Sequence, residues 1–125
     1  LAKTVLVAET NAYLLEVLSE LLKASGFAVA GETTQKSDVA DMARALKPDL
    51  LIYDFNLSDE GIGGLAELQT VKRELPRMKI LVLGFQDATE EFVDAVLKYG
   101  GDAFCNKFES QTGLLGVLNM LVAQG

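Results

Sequence analysis

Five short apolar runs punctuate the chain, at residues 4–8, 27–30, 50–53, 80–83 and 103–105. Their length and their content of Val, Ile, Leu and aromatics predict strands, the second and fifth runs carrying the least of that content. Between them apolar residues return every three or four positions: Leu14, Val17, Leu18, Leu21 and Leu22; Val39, Met42, Ala43 and Leu46; Leu65, Leu68, Val71 and Leu75. The same spacing recurs in Phe92, Val93, Val96 and Leu97, and in Leu114, Val117, Leu118, Leu121 and Val122. It predicts five helices, each with one buried stripe. Helix punctuation agrees: Ser37 is placed to cap the second helix and Pro48 to end it, Asp87 and Glu90 have capping-box spacing, and Gly100 suits a C-terminal turn.

Strands that are apolar on both faces, each followed by an amphipathic helix, predict a parallel sheet covered on both sides. With right-handed crossovers this is a five-stranded, doubly wound α/β domain of three layers, spanning residues 1–125 without an internal linker or repeat. Ligands of such sheets bind outside the carboxyl ends of the strands. The residues there are Glu9 and Thr10, Asp54, Gly84 and Lys107.

Composition narrows the function. Half of the 125 residues are hydrophobic and only two are proline, so the chain has material for a core and not the makeup of a disordered tail. Its net charge of −7, with no basic stripe, argues against direct nucleic-acid binding, which needs clustered cations. One cysteine forms no internal disulfide, and Cys105 reads as a small buried apolar residue. There is neither a secretory leader pattern nor the run of roughly 18 apolar residues of a membrane span, so the cytoplasm is the default compartment. The absence of histidine removes the commonest metal ligand and general base and leaves carboxylates and lysine to carry any chemistry. The sequence starts at Leu1 and stops at Gly125 just after a helical pattern, and is expected to be a domain taken from a longer protein.

Asp54 and Glu9, brought to one sheet edge, form an acidic pocket in which Lys107 can place a cation. Two carboxylates and a carbonyl oxygen, here that of Asn56, can hold Mg²⁺. A carboxylate beside that metal and a lysine can attack phosphorus and become an acyl phosphate. Plainer readings stand beside this one. Asp54 could cap the following loop, Glu9 could complement a helix dipole, Thr10 could cap the first helix, Lys107 could be a solvated surface residue and Phe104 could be plain core. Gly61, Gly63 and Gly64 fit neither a P-loop nor a dinucleotide fingerprint and read as turn residues.

The chain resembles a response-regulator receiver domain, the aspartate-phosphorylated module of two-component signalling. The resemblance rests on Val5-Leu6-Val7-Ala8-Glu9, on Lys47-Pro48-Asp49-Leu50-Leu51-Ile52-Tyr53-Asp54 and on Gly100-Gly101-Asp102-Ala103-Phe104-Cys105-Asn106-Lys107. The run from Gly26 to Glu32 and the ending Gln124-Gly125 resemble the NarL/LuxR type. The resemblance implies a CheY-like fold, Asp54 as phosphoacceptor, Glu9 as a Mg²⁺ ligand, Lys107 as the phosphoryl-binding cation and Phe104 as the aromatic switch. It also implies a partner histidine kinase and an effector, DNA-binding in the NarL/LuxR type, in the same full-length chain, and leaves a homodimer open.

Four departures from the family stand out. Thr10 replaces the second of two adjacent acids, so Mg²⁺ is expected to bind weakly. Gly84 replaces the Ser or Thr that receives a phosphoryl oxygen. The loop after Asp54, with Ser58 where proline is common and Asp59-Glu60-Gly61-Ile62-Gly63-Gly64 following, is longer and more acidic. Phe108 follows Lys107 where many receivers have proline, and a trans bond is expected there. These departures motivate an alternative, a phosphorylation-independent pseudo-receiver that acts as a docking module. A flavin carrier or an aspartate-based phosphatase fits worse: Glu9 stands where a phosphate loop should be, and Asp54-Phe55-Asn56 lacks a second acid two residues on.

Overall fold

A computed structural model describes residues 1–58 and 61–124 of the chain. Strands β1 (Thr4–Ala8), β2 (Ala28–Thr33), β3 (Leu50–Asp54), β4 (Lys79–Gly84) and β5 (Ala103–Asn106) alternate with helices α1 (Ala12–Ala24), α2 (Lys36–Leu46), α3 (Ala66–Glu74), α4 (Glu90–Lys98) and α5 (Gln111–Ala123). All five strands pair in parallel, in the order β2-β1-β3-β4-β5. That is the doubly wound α/β architecture expected from the sequence.

The pleat sorts each strand into two faces. Leu6 and Ala8, Leu51 and Tyr53, Ile80 and Val82 join Val39, Ala43, Leu68, Val71 and Val96 under α2, α3 and α4. Val5 and Val7, Leu50 and Ile52, Leu81, Leu83 and Cys105 join Leu22, Leu114, Leu118 and Leu121 under α1 and α5. β3, the middle strand, is buried along its whole length, so truncating Leu51 or Ile52 to alanine would cost about 2–5 kcal/mol. Among the described residues no helix is long and apolar enough to cross a membrane.

Several boundaries differ from the sequence reading. The second strand starts and ends later than residues 27–30: Phe27 packs into the core ahead of it, and the strand runs on to Thr33 with alternate residues more exposed, as befits a sheet edge. Ser37 is not the cap of α2. Gln35 holds that position without a side-chain bond, and Thr33 Oγ1 bonds the Gln35 amide and the Asp38 carboxylate instead. Asp87 and Glu90 form no capping box, because Thr89 is the cap of α4 and its hydroxyl accepts from the Phe92 N–H. Thr10 is not the cap of α1 either; the Asn11 side chain accepts from the Tyr13 and Leu14 amides. Gly61, Gly63 and Gly64 lie in a 3₁₀ turn, Gly61–Leu65, which leads directly into α3.

Other signals read true. α2 ends at Leu46, Lys47 turns left-handed at φ 45°, and Pro48 follows. Gly100 takes φ +97° and, with Gly101, returns its N–H to the last turn of α4. At the amino edge of the sheet Lys72 of α3 reaches across to β5: its Nζ lies 2.8 Å from Asp102 Oδ2 and 2.6 Å from the Met78 carbonyl. Asp102 Oδ2 also accepts from the Ile80 N–H at 2.7 Å.

Candidate functional site

The carboxyl ends of β1, β3 and β5 converge on three charged side chains that are almost wholly withdrawn from solvent. Glu9 follows β1 and is 1% exposed, Asp54 closes β3 at 0%, and the Lys107 side chain, just past β5, is 6% exposed. The backbone sets their positions. The Glu9 N–H bonds the Thr33 carbonyl of β2, and the Lys107 N–H bonds the Gly84 carbonyl of β4, so both residues continue the sheet ladder.

Lys107 Nζ lies 2.9 Å from Asp54 Oδ1 and 2.9 Å from Glu9 Oε1, a single ammonium bridging two carboxylates. Asp54 is held further by the Asn56 N–H at Oδ1 (2.9 Å) and by Thr10 at Oδ2, through its N–H at 3.0 Å and through its hydroxyl. Glu9 Oε2 accepts from the Asn11 N–H at 3.0 Å. These contacts separate the two acids. Burial alone would raise the Asp54 carboxyl, but hydrogen bonds with Glu9, Thr10, Lys107 and the Asn56 amide favour the anion and bring it down to about 2. Burial, and then the hydrogen bond shared with Asp54, push the Glu9 carboxyl up, opposed by the Asn11 amide and Lys107. Of the two, Asp54 keeps its charge and Glu9 more readily takes the proton.

Glu9, Thr10, Asp54 and Lys107, all singled out in the sequence, thus meet at one point, and Asn56 touches it through its N–H. Lys107 is not a solvated surface residue, and Asp54 does cap the turn that follows it as well as facing the lysine. Phe104 stands one layer back and half-buried, edge-on to the Phe92 ring at 4.9 Å between centroids; Phe92 in turn meets Phe55 at 5.2 Å. Among the described residues every peptide bond is trans, including Lys107–Phe108. Asp59, Glu60 and Gly125, which the sequence reading used, lie outside the described residues.

Two contributors escaped the sequence reading. Asn106 Nδ2 donates to the Gln86 carbonyl at 2.9 Å and its Oδ1 accepts from the Phe108 N–H, tying the loops after β4 and β5 together. Phe85 lies beneath the lysine, its ring centroid 4.9 Å from Nζ and 5.4 Å from that of Phe108. An asparagine directly before Lys107 was the available signal for the first; nothing local marks the second.

Among the described residues no group of three or more His, Cys, Asp and Glu side chains is arranged to hold a metal ion. The donors present nonetheless suit Mg²⁺ in kind, being hard carboxylate oxygens beside backbone. They are one acid short, because Thr10 presents a hydroxyl that donates to Asp54.

At this edge of a five-stranded parallel sheet a buried aspartate is bridged to a lysine, the arrangement that the sequence resemblance led to expect. The response regulator receiver domain family matches residues 5–119, and the chain belongs to that family. It is 24% identical to the chemotaxis protein CheY of Thermotoga maritima, over 87% of this chain and 89% of that protein. To the nitrate/nitrite response regulator NarL of Escherichia coli K12 it is 27% identical over 96% of its own length and 55% of NarL, so it spans about half of that relative. The fold is also that of a two-component response regulator of the LuxR family from Aurantimonas, with a TM-score of 0.88 at 16% identity over 99% of this chain and 87% of that one. The chain is therefore the receiver domain of a two-component response regulator, and transcriptional regulators are among its relatives. Receiver domains are in general not enzymes, are phosphorylated by histidine kinases and typically bind Mg²⁺ where they are phosphorylated.

Proposed function

We propose that Asp54 is the phosphoacceptor of this receiver, taking its phosphoryl group from a histidine kinase, and that the chain is one domain of a longer regulator whose effector binds DNA. The observation that carries the reading is the buried bridge: a carboxylate held ionised with an ammonium 2.9 Å away. In the transfer an Asp54 oxygen forms a bond to phosphorus as the P–N bond to the donor imidazole breaks, its electron pair leaving with the ring. Lys107 neutralises charge on the phosphoryl oxygens, and the Thr10 and Asn56 amides hold the carboxylate in place. Glu9, Asp54 and the Asn56 carbonyl would hold Mg²⁺ weakly, and the metal would supply further charge neutralisation at the transferred group. An acidic chain of net charge −7 leaves nucleic-acid binding to the effector. The expected compartment is the cytoplasm.

Acetyl phosphate with excess Mg²⁺ should add one phosphoryl mass to the protein, but not to Asp54→Asn, and Lys107→Ala should lower the yield. A second reading has its own support. Thr10 uses both its N–H and its hydroxyl on Asp54 Oδ2, and Lys107 already bridges both acids, as a closed structural cluster in a docking module would be built. No labelling at high Mg²⁺, even in Thr10→Asp, would establish that reading in place of the first.

A further inference from the structure

Gly84 leaves no hydroxyl at the end of β4, yet the space beside it is taken. A β-carbon built on Gly84 would collide with Gln86 Oε1, and would stand 3.3 Å from carbons of Phe104 and Phe55. The Gln86 side chain has folded back over the glycine into the volume that a side chain at position 84 would fill. Its Oε1 is buried and accepts no hydrogen bond from the described residues. A buried carboxamide is ordinarily satisfied, so this one carries unspent bonding capacity. Half a turn about its terminal bond exchanges the acceptor for two N–H donors at the same spot.

The surroundings place that residue beside the strand ends that carry Asp54 and Lys107. Leu83 pairs with Asp54 across β3 and β4, so Gly84 lies one residue beyond the aspartate's own register position. The Gly84 carbonyl accepts from the Lys107 N–H at 2.7 Å, and the Gln86 carbonyl from Asn106 at 2.9 Å. The loop that carries Gln86 is thus fastened on both sides to the strand end that delivers the lysine.

We propose that the Gln86 carboxamide is a phosphoryl-binding group, donating N–H to an oxygen of the phosphoryl group on Asp54 in place of the hydroxyl that Gly84 lacks. The proposal rests on Asp54 being the phosphoacceptor. An amide is neutral, as a hydroxyl is, and so adds a donor without altering the site's charge.

The test follows the Gln86 side-chain NH₂ by ¹⁵N NMR as beryllofluoride is added with Mg²⁺, alongside acetyl phosphate labelling of variants. In the wild type the Gln86 NH₂ signals should shift together with the amides around Asp54. Gln86→Ala should label about tenfold more slowly, the loss of one charge-assisted hydrogen bond. Gly84→Ser should restore labelling in the Gln86→Ala background, where the carboxamide no longer fills the nearest space and Phe104 and Phe55 need give only slightly, and should bring a smaller gain to the wild type, where Gln86 must first move aside. Gln86 signals that stay fixed while the Asp54 amides move, or wild-type labelling by Gln86→Ala, would overturn the proposal and leave the phosphoacceptor intact. If neither reagent shifts the Asp54 amides, both fail together.

Discussion

Removing the ammonium of Lys107 is the sharpest perturbation of this site. Its Nζ sits 2.9 Å from an oxygen of each of two carboxylates that are at most 1% exposed, so Lys107→Ala leaves two buried acids facing each other without a cation. Breaking a buried ion pair by deleting one partner costs about 3–5 kcal/mol. Asp54 keeps the N–H bonds from Thr10 and Asn56, which favours the lower end, about 3 kcal/mol. Lys107→Met, which keeps an apolar stem, separates lost packing from lost charge.

The deficit should depend on pH. Glu9 is already raised above the ordinary glutamate value of 4.5, with burial the leading cause, and losing its cation raises it further. For a group raised in the folded state, stability is fully present below the unfolded value and is lost as pH rises through the folded one. The part of the deficit that Glu9 carries should therefore vanish toward pH 4.5 and grow toward neutrality, while the part that Asp54 carries, with its own value of about 2, persists across that range. Urea unfolding at constant m-value measures this directly, and Glu9→Gln in the Lys107→Ala background should recover most of the loss. A deficit under about 1 kcal/mol at neutral pH, or one equally large in mild acid, would refute the idea that Lys107 neutralises a buried acid pair.

Thr10→Asp should tighten Mg²⁺ binding by adding a third carboxylate, and should destabilise the metal-free protein by replacing a donor to Asp54 with a like charge; calorimetric titration and urea unfolding report the two effects. Unchanged Mg²⁺ affinity would mean that the metal lies elsewhere. Glu67 is raised by burial, with Lys36 and Arg44 opposing, and its Oε1 has no hydrogen-bond partner among the described residues. Its stabilising contribution is present below 4.5 and lost as pH rises through its folded value, so Glu67→Gln should gain on the wild type at neutral pH and match it in acid. Parallel unfolding curves across that range would contradict this.

The residues that specify the sheet declare themselves in the sequence because both faces of its strands are buried. A run such as Leu50-Leu51-Ile52-Tyr53 has few other uses, and the acid, the lysine and the glycine follow from asking what stands just past each strand. The edge strand β2 is harder, because its exposed alternate residues, Ala28, Ala30 and Glu32, weaken the apolar signal and hide its extension to Thr33. Caps were misplaced by one or two residues where several side chains could serve. Ser37, Asp87 and Thr10 all have capping chemistry, but Gln35, Thr89 and Asn11 hold the cap positions. Thr10 in particular is drawn off by a partner 44 residues away, Asp54, which no local pattern reveals. Gln86 is invisible for a related reason: its importance comes from the volume vacated by a glycine two residues earlier, and volume is a property of the folded chain.

The Lys72–Asp102 bridge gives the two ends of the sheet different mechanical characters. Because one carboxylate just ahead of β5 holds the Ile80 N–H of β4 and, through Lys72, anchors α3, the two strands are tied together at their amino ends. On the proposal that Asp54 accepts a phosphoryl group, the added charge would act at the end of the sheet opposite this tie, so the outer loops and rings, rather than the fastened strand starts, would take up most of the change.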